Sequence, residues 1–249
     1  MSRVVVVSGG GTGIGLAVAQ SFAEAGDQVV VIGRRADVLD RAVGAIGSDR
    51  AWRVVADLTE PDGARAAAAA VLARHGRVDV LVNNVGGNVE IGVPEESVAG
   101  LEGVARHWLG NFRSNVLTAV LLTEALADML CEGARVVLIS SIAAYRGSGS
   151  GSYAASKAAL HPYAYDLASR FGPRGITVNV VAPGYVAETE FFGGDLSAER
   201  VRTLIDQTKT GRACVPADIA GSVRWLASPE AAQVTAQVIQ VNGGAQLGH

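Results

Sequence analysis

The chain has 249 residues, 49% hydrophobic and 18% charged, a composition that suits a large α/β domain rather than a disordered or low-complexity segment. Its formal charge of −3 argues against a nucleic-acid partner, which would favour a basic surface. No apolar run approaches the roughly 18 residues of a membrane span. The opening "MSRVVVVSGG" lacks the longer apolar stretch and cleavage site of a secretory signal, so a cytoplasmic protein with no membrane partner is expected.

Short β-branched runs recur at 3–8, 28–33, 52–56, 78–83, 134–140, 176–182 and 237–241. Each is almost continuously apolar, as strands are when both faces of their sheet are covered. Between them lie Ala/Leu-rich helical stretches such as "GLAVAQSFAEAG" and "DGARAAAAAVLARHG", each closed by glycine, a common helix stop. Alternation of strand and helix predicts an α/β fold. The expectation is a single doubly wound, Rossmann-type domain over 1–249, with a seven-stranded parallel sheet, right-handed crossovers and helices on both faces. By analogy the strand order is 3-2-1-4-5-6-7. Such sheets bind ligands beyond the carboxyl ends of their strands, where the two halves diverge, so the residues after each strand carry the functional reading.

After the first strand comes "SGGGTGIGLAVAQ". Leu16 breaks G-x-G-x-x-G, and G-x-x-x-G-x-G fits instead, on Gly9, Gly13 and Gly15. Between a strand and a helix, such a turn lets the backbone approach a pyrophosphate at the helix N-terminus. The second strand ends in Gly33, Arg34 and Arg35, where a dinucleotide with a free ribose 2′-hydroxyl usually meets Asp or Glu. Arginine suits a 2′-phosphate, although a solvated arginine pair is the plainer alternative and nearby Asp37 leaves NAD open. After the third strand, Asp57 can accept from an adenine amino group or cap the next helix, a role that suits Thr59 better. After the fourth come Asn83, Asn84 and Gly86, of which Asn84 is as fit for a structural role as for contact with a ligand.

Asn115 lies within the helical stretch "RSNVLTAVLLTEAL", among apolar neighbours that make the usual solvated-face explanation for a mid-helix asparagine thin. The fifth strand ends at Ser140 and Ser141, followed by "SYAASKAAL". Lys157 is one of only two lysines among 21 basic residues. It stands four residues after Tyr153, on the same helix face, where an ammonium favours a phenolate. Pro162, in the middle of that helix, should kink it at a cost of about 3 kcal/mol unless packing compensates. Pro183 and Gly184 form a turn after the sixth strand. Cys131 and Cys214 have no metal-ligand spacing and read as buried free thiols, and the four histidines are scattered, so no metal site is expected.

Taken together, these segments resemble the short-chain dehydrogenase/reductase family over essentially the whole chain. The resemblance rests on S-G-x-x-x-G-I-G at 8–15, N-N-V-G at 83–86, Asn115, I-S-S at 139–141, Y-x-x-x-K at 153–157, P-G at 183–184 and the closing "VIQVNGG". The nearest look-alikes are bacterial 3-oxoacyl-acyl-carrier-protein reductases and related ketone or alcohol dehydrogenases. Ser8 and Val85 stand where Thr and Ala are usual, and the interval from Ser141 to Tyr153 is one residue tighter than often seen. Ser140 would restore that interval, but the match through "RVVLISS" favours Ser141.

The resemblance implies an oxidoreductase with Tyr153 as general acid or base, Lys157 lowering its pKa and holding ribose hydroxyls, Ser141 on the substrate oxygen, and Asn115 supporting a proton relay. It implies cofactor contacts from Gly9, Thr12, Gly13, Ile14, Arg34, Arg35, Asp57 and Leu58, and from Asn83, Gly86, Pro183, Gly184 and Val186. NADP(H) is expected over NAD(H). The substrate would lie against about 185–214, where Phe191 and Phe192 accompany Glu188, Glu190 and Asp195, which suggests a neutral, partly apolar carbonyl or alcohol. A homotetramer or homodimer is implied. A regulator or scaffold that binds the cofactor without turnover is the alternative, and the intact Asn115, Ser141, Tyr153 and Lys157 speak against it.

Overall fold

The computed structural model describes residues 2–94, 99–192 and 196–247. The first half runs β1 (Val4–Ser8), α1 (Gly13–Glu24), β2 (Gln28–Gly33), α2 (Ala36–Ile46), β3 (Ala51–Val55), α3 (Pro61–His75) and β4 (Val78–Asn83). The second runs α4 (Gly100–Phe112), α5 (Thr118–Leu126), β5 (Leu130–Ile139), α6 (Ala143–Arg146), α7 (Gly151–Phe171), β6 (Thr177–Pro183), α8 (Ala198–Asp206), α9 (Pro216–Leu226) and β7 (Val238–Val241). All seven strands pair in parallel in the order β3-β2-β1-β4-β5-β6-β7. β1 and β4 are therefore neighbours from which the chain departs in opposite directions, and the crevice beyond their carboxyl ends is the place for a ligand.

The valine runs form strands because every side chain in them finds cover. Val6, Val30 and Ile32 face one core with Ala64 and Ala67 of α3, Leu122 and Leu126 of α5, and Leu160 and Leu167 of α7. Their neighbours Val5, Val7, Val29 and Val31 face the other core, with Val18 and Phe22 of α1, Leu39 of α2 and Ile219 and Val223 of α9. Period-two alternation thus feeds two apolar layers, so both positions must be apolar. Among the described residues no helix is long and apolar enough to cross a membrane, and no His/Cys/Asp/Glu group is arranged to hold a metal.

Four local expectations change. β5 starts at Leu130, paired with Val78, and a register shift between Val78 and Val80 joins this polar first part to the apolar run. Neither Asp57 nor Thr59 caps α3; Glu60 is the N-cap residue and Pro61 opens the helix. Instead Asp57 Oδ1 accepts from the backbone N–H of Thr59 at 3.0 Å and its hydroxyl at 2.8 Å, a local turn. α7 continues past Pro162 to Phe171, because the proline lies on the exposed face, where water can reach the carbonyl it leaves unpaired. Cys214 is buried, but Cys131 is only half-buried.

Candidate active site

The glycine turn joins β1 to α1. Thr12 is the N-cap residue, without a side-chain cap, and the first turn holds no acidic residue. The leading amides of α1 are thus left for an anion. Gly9 and Gly13 have φ of +66° and +52°, which glycine adopts without strain. Across the switch point, Ser8 Oγ accepts from the N–H groups of Asn84 at 2.9 Å and Val85 at 3.1 Å. Asn84 Nδ2 donates back to the carbonyls of Ser8 and Gly9 at 3.1 and 3.2 Å. A Cβ on Gly9 would lie 2.8 Å from that nitrogen, so the clamp needs glycine for space as well as for φ.

A cavity of about 1240 Å³ opens from this turn. Gly9, Thr12, Gly13, Ile14, Arg34, Arg35, Asp57 and Leu58 line one end; Gly86, Ser141, Tyr153, Lys157, Pro183, Gly184 and Val186 line the other. Asn83 does not reach it: its side chain is buried and Nδ2 donates to Thr123 Oγ1 at 2.9 Å, so it holds β4 to α5. Asp37 also lies outside the wall, paired with Arg41 at 3.0 Å. The Asp57 carboxyl is held below its ordinary pKa by the backbone and hydroxyl of Thr59, with Arg34 and Arg113 adding to the effect. Arg34 is exposed at the cavity edge, whereas Arg35 is tied to Glu190 at 2.9 Å.

At the far end, Tyr153 and Lys157 project from the first turns of α7, whose N-cap Ser150 accepts from the Tyr153 N–H. Both are almost fully buried, at 6% and 4% exposure. Burial pushes the Tyr153 phenol up to about 12, and a hydrogen bond with Ser141 opposes that rise. Burial brings Lys157 down to about 8. Its Nζ donates to the Ile139 carbonyl at 2.9 Å, at the end of β5.

The two serines after β5 divide. Ser140 Oγ donates to the Lys157 carbonyl at 2.9 Å and meets His161 Nε2 at 2.9 Å, which ties the strand end to α7. Ser141 is the one whose hydroxyl reaches the phenol.

Asn115 sits in a π-helical turn, Arg113–Leu117, inserted between α4 and α5. Such turns recur at functional sites because the extra residue breaks the regular ladder and redirects a side chain. Asn115 Oδ1 accepts from the Gly87 N–H at 2.9 Å. Its Nδ2 reaches the carbonyls of Gly87 and Asn111, at 2.9 and 3.0 Å, and Ser156 Oγ at 3.1 Å. A Cβ on Gly86 would meet Asn115 Oδ1 and lie 2.8 Å from Lys157 Nζ. Glycine at 86 is what lets these three elements converge.

Sequence reasoning missed several participants. Arg146 of α6, with Arg200 and Gln207 at α8, lines the cavity beyond Tyr153. Glu90 accepts from Ser152 Oγ and from Asn111 Nδ2 at 3.3 Å, fastening the loop after β4 to both α4 and α7. Phe191 was expected in the substrate segment, but its packing on the Tyr153 ring, with centroids 5.6 Å apart, was not. None of these contacts has a sequence signal, since each joins residues well separated along the chain, from 21 positions for Asn111 and Glu90 to 62 for Ser152 and Glu90. Asp195 lies outside the described residues.

A parallel α/β sheet with a phosphate-ready glycine turn and a buried tyrosine–lysine pair at one crevice defines a dinucleotide-dependent oxidoreductase architecture. Comparison with known proteins agrees. A family model described as enoyl-(acyl carrier protein) reductase matches residues 9–246. The chain is 35% identical to galactitol 2-dehydrogenase (L-tagatose-forming) of Cereibacter sphaeroides, over 96% of this chain and 92% of that one. It is 31% identical to the 3-oxoacyl-[acyl-carrier-protein] reductase of Vibrio cholerae, over 97% and 96%. Among solved structures, a blue fluorescent protein from a metagenomic library, in complex with NADPH, superposes with a TM-score of 0.85 at 32% identity, covering 98% of this chain and 97% of that one. The chain belongs to the short-chain dehydrogenase/reductase family, whose members bind nicotinamide cofactors and act on small molecules.

Proposed function

We propose that residues 1–249 form one catalytic domain that transfers a hydride between NADP(H) and a carbonyl compound or its secondary alcohol. The observation that carries this reading is the convergence of Ser141, Tyr153 and Lys157 at one end of a cavity whose other end is the glycine turn and Arg34, with Asn115 behind the wall and bonded to Gly87. The cavity fits a dinucleotide: the uncapped amides of α1 suit its pyrophosphate, and the space at Gly86 suits the ribose or nicotinamide. When bound, the cofactor supplies or accepts the hydride. In reduction, Tyr153 donates its phenolic proton to the carbonyl oxygen while Ser141 Oγ donates a hydrogen bond to the same atom. In oxidation Tyr153 takes the alcohol proton, which requires its phenolate.

Burial alone disfavours that phenolate, so Lys157 is required to counter it. Its ammonium favours the anion and would also hold the ribose hydroxyls of a bound cofactor, while Asn115 fixes the loop at Gly87 and would support proton exchange past Lys157. Gly33 in place of a carboxylate, with exposed Arg34 after it, supports the 2′-phosphate, and Asp37 turned to Arg41 removes the nearest competing acid. The NADPH bound by the blue fluorescent protein agrees. Phe191 on the Tyr153 ring, with Phe192 packed between it and Tyr185, supports a neutral, partly apolar substrate. Exposed Leu101, Val104, Trp108 and Leu109 along α4 support a dimer or tetramer. The test is to assay purified protein with NADPH against a panel of ketones and 3-oxoacyl thioesters. Turnover of at least one is expected, and failure across the panel despite tight NADPH binding would favour a regulator or scaffold.

A further inference from the structure

Three consecutive residues of the segment after β6 touch three separate stations of the cavity. The Thr189 methyl lies where a Cβ on Gly13 would meet it at 3.3 Å, against the N-terminus of α1. Glu190 Oε2 accepts from Arg35 at 2.9 Å, at the corner after β2. Phe191 packs on the ring of Tyr153. The base of this strap is fixed: Ala187 N–H donates to the Cys214 carbonyl at 2.8 Å, and Cys214 N–H to the Tyr185 carbonyl at 3.0 Å. Just past the base, Glu188 has φ of +61°, a left-handed conformation uncommon outside glycine. The strap therefore bends sharply at Glu188. Beyond the bend its tip meets the cavity through the contacts of Thr189, Glu190 and Phe191.

We infer that Glu190 is a specificity-determining residue, an internal competitor for the 2′-phosphate at Arg35, whose displacement frees the Thr189–Phe191 strap from Tyr153. This rests on the NADP(H) reading above. Both partners of the ion pair are more than half exposed, and such pairs are weak. A phosphate dianion carries more charge than one carboxylate and accepts both arms of the guanidinium, so it takes Arg35 from Glu190. A 2′-hydroxyl does not. The Glu190 tether is therefore released by the phosphorylated dinucleotide and not by its unphosphorylated counterpart, since the two differ only in what they offer Arg35. The residue next to the released carboxylate is the one that covers the catalytic ring, so cofactor choice and substrate access are linked through a single peptide.

The test compares wild type with Glu190→Gln, an exposed and isosteric change that leaves the fold intact. Dissociation constants for 2′,5′-ADP, 5′-ADP, NADP⁺ and NAD⁺ are measured by calorimetry at fixed salt. Glu190→Gln should bind 2′,5′-ADP and NADP⁺ about two- to fivefold more tightly, the range of an exposed ion pair, and the unphosphorylated pair unchanged. Amide hydrogen exchange at 188–192 in wild type should accelerate on saturation with 2′,5′-ADP and not with 5′-ADP. If wild type prefers 2′,5′-ADP but Glu190→Gln leaves that affinity unchanged or weaker, the inference is wrong and the NADP(H) reading stands. Exchange at 188–192 that ignores the 2′-phosphate would overturn the inference in the same way. If wild type shows no preference for 2′,5′-ADP, both fall.

Discussion

Replacing Lys157 with Met separates the thermodynamic cost of the site from its chemistry. Met keeps an unbranched stem of similar length and removes the charge. The Lys157 ammonium is fully buried and its pKa falls from 10.5 to about 8. At about 1.4 kcal/mol per pKa unit, holding it charged at pH 7 costs the native state about 3 kcal/mol. The sign follows from a folded pKa below the unfolded one: the penalty is complete below pH 8 and is relieved as pH rises towards 10.5. By pH 9.5 about 1 kcal/mol remains, so wild type should gain about 2 kcal/mol relative to Lys157→Met between pH 7 and 9.5. Titrating groups remote from Lys157 are shared by the two proteins and cancel in the difference, and the Tyr153 phenol, pushed up to about 12, stays protonated at both pH values. The assay is urea unfolding of both proteins at the two pH values, free of dinucleotide and at one protein concentration. A wild-type-minus-variant difference that does not move with pH would refute the picture of an ammonium held in a water-poor site.

At the opposite end of the cavity, Arg34→Ala should erase most of a preference for NADPH over NADH that is about ten- to a hundredfold in kcat/KM, the value of one charge-assisted bidentate contact. NADH turnover should survive, and a wild type that prefers NADH would contradict the assignment. Gly86→Ala places a methyl against Asn115 Oδ1 and 2.8 Å from Lys157 Nζ. It should lower kcat about ten- to a hundredfold through misplacement of the lysine, with far-UV circular dichroism unchanged; wild-type kcat would mean the loop yields freely.

The strands were legible because the valine runs are short, apolar and spaced by helices, whereas their order, taken by analogy with doubly wound sheets, matches the one observed. The position of the crevice followed from that order. Local endings were less legible. Thr59 has the better capping side chain, yet α3 starts two residues later because Asp57 draws Thr59 into a turn and Pro61 suits the first helical position. Pro162 reads as a kink in isolation, but only three dimensions show that it faces water. Asn83 and Asn84 are adjacent and chemically identical, and their burial on opposite sides of the strand end separates a helix contact from a cavity contact. The π turn at Asn115 and the Thr189–Phe191 strap depend on contacts between distant segments, for which local pattern carries no information.

Loss of the proton on Tyr153 is the most direct probe of the proposed chemistry. The Tyr153→Phe protein should keep its fold and bind NADPH with nearly the wild-type dissociation constant, because the phenol oxygen makes one hydrogen bond, to Ser141, and the ring stays packed on Phe191. With a ketone that wild type reduces, kcat should fall by about 10²–10⁴, the contribution of a positioned general acid. A Phe variant that reduces the same ketone at the wild-type kcat would contradict Tyr153 as the proton donor.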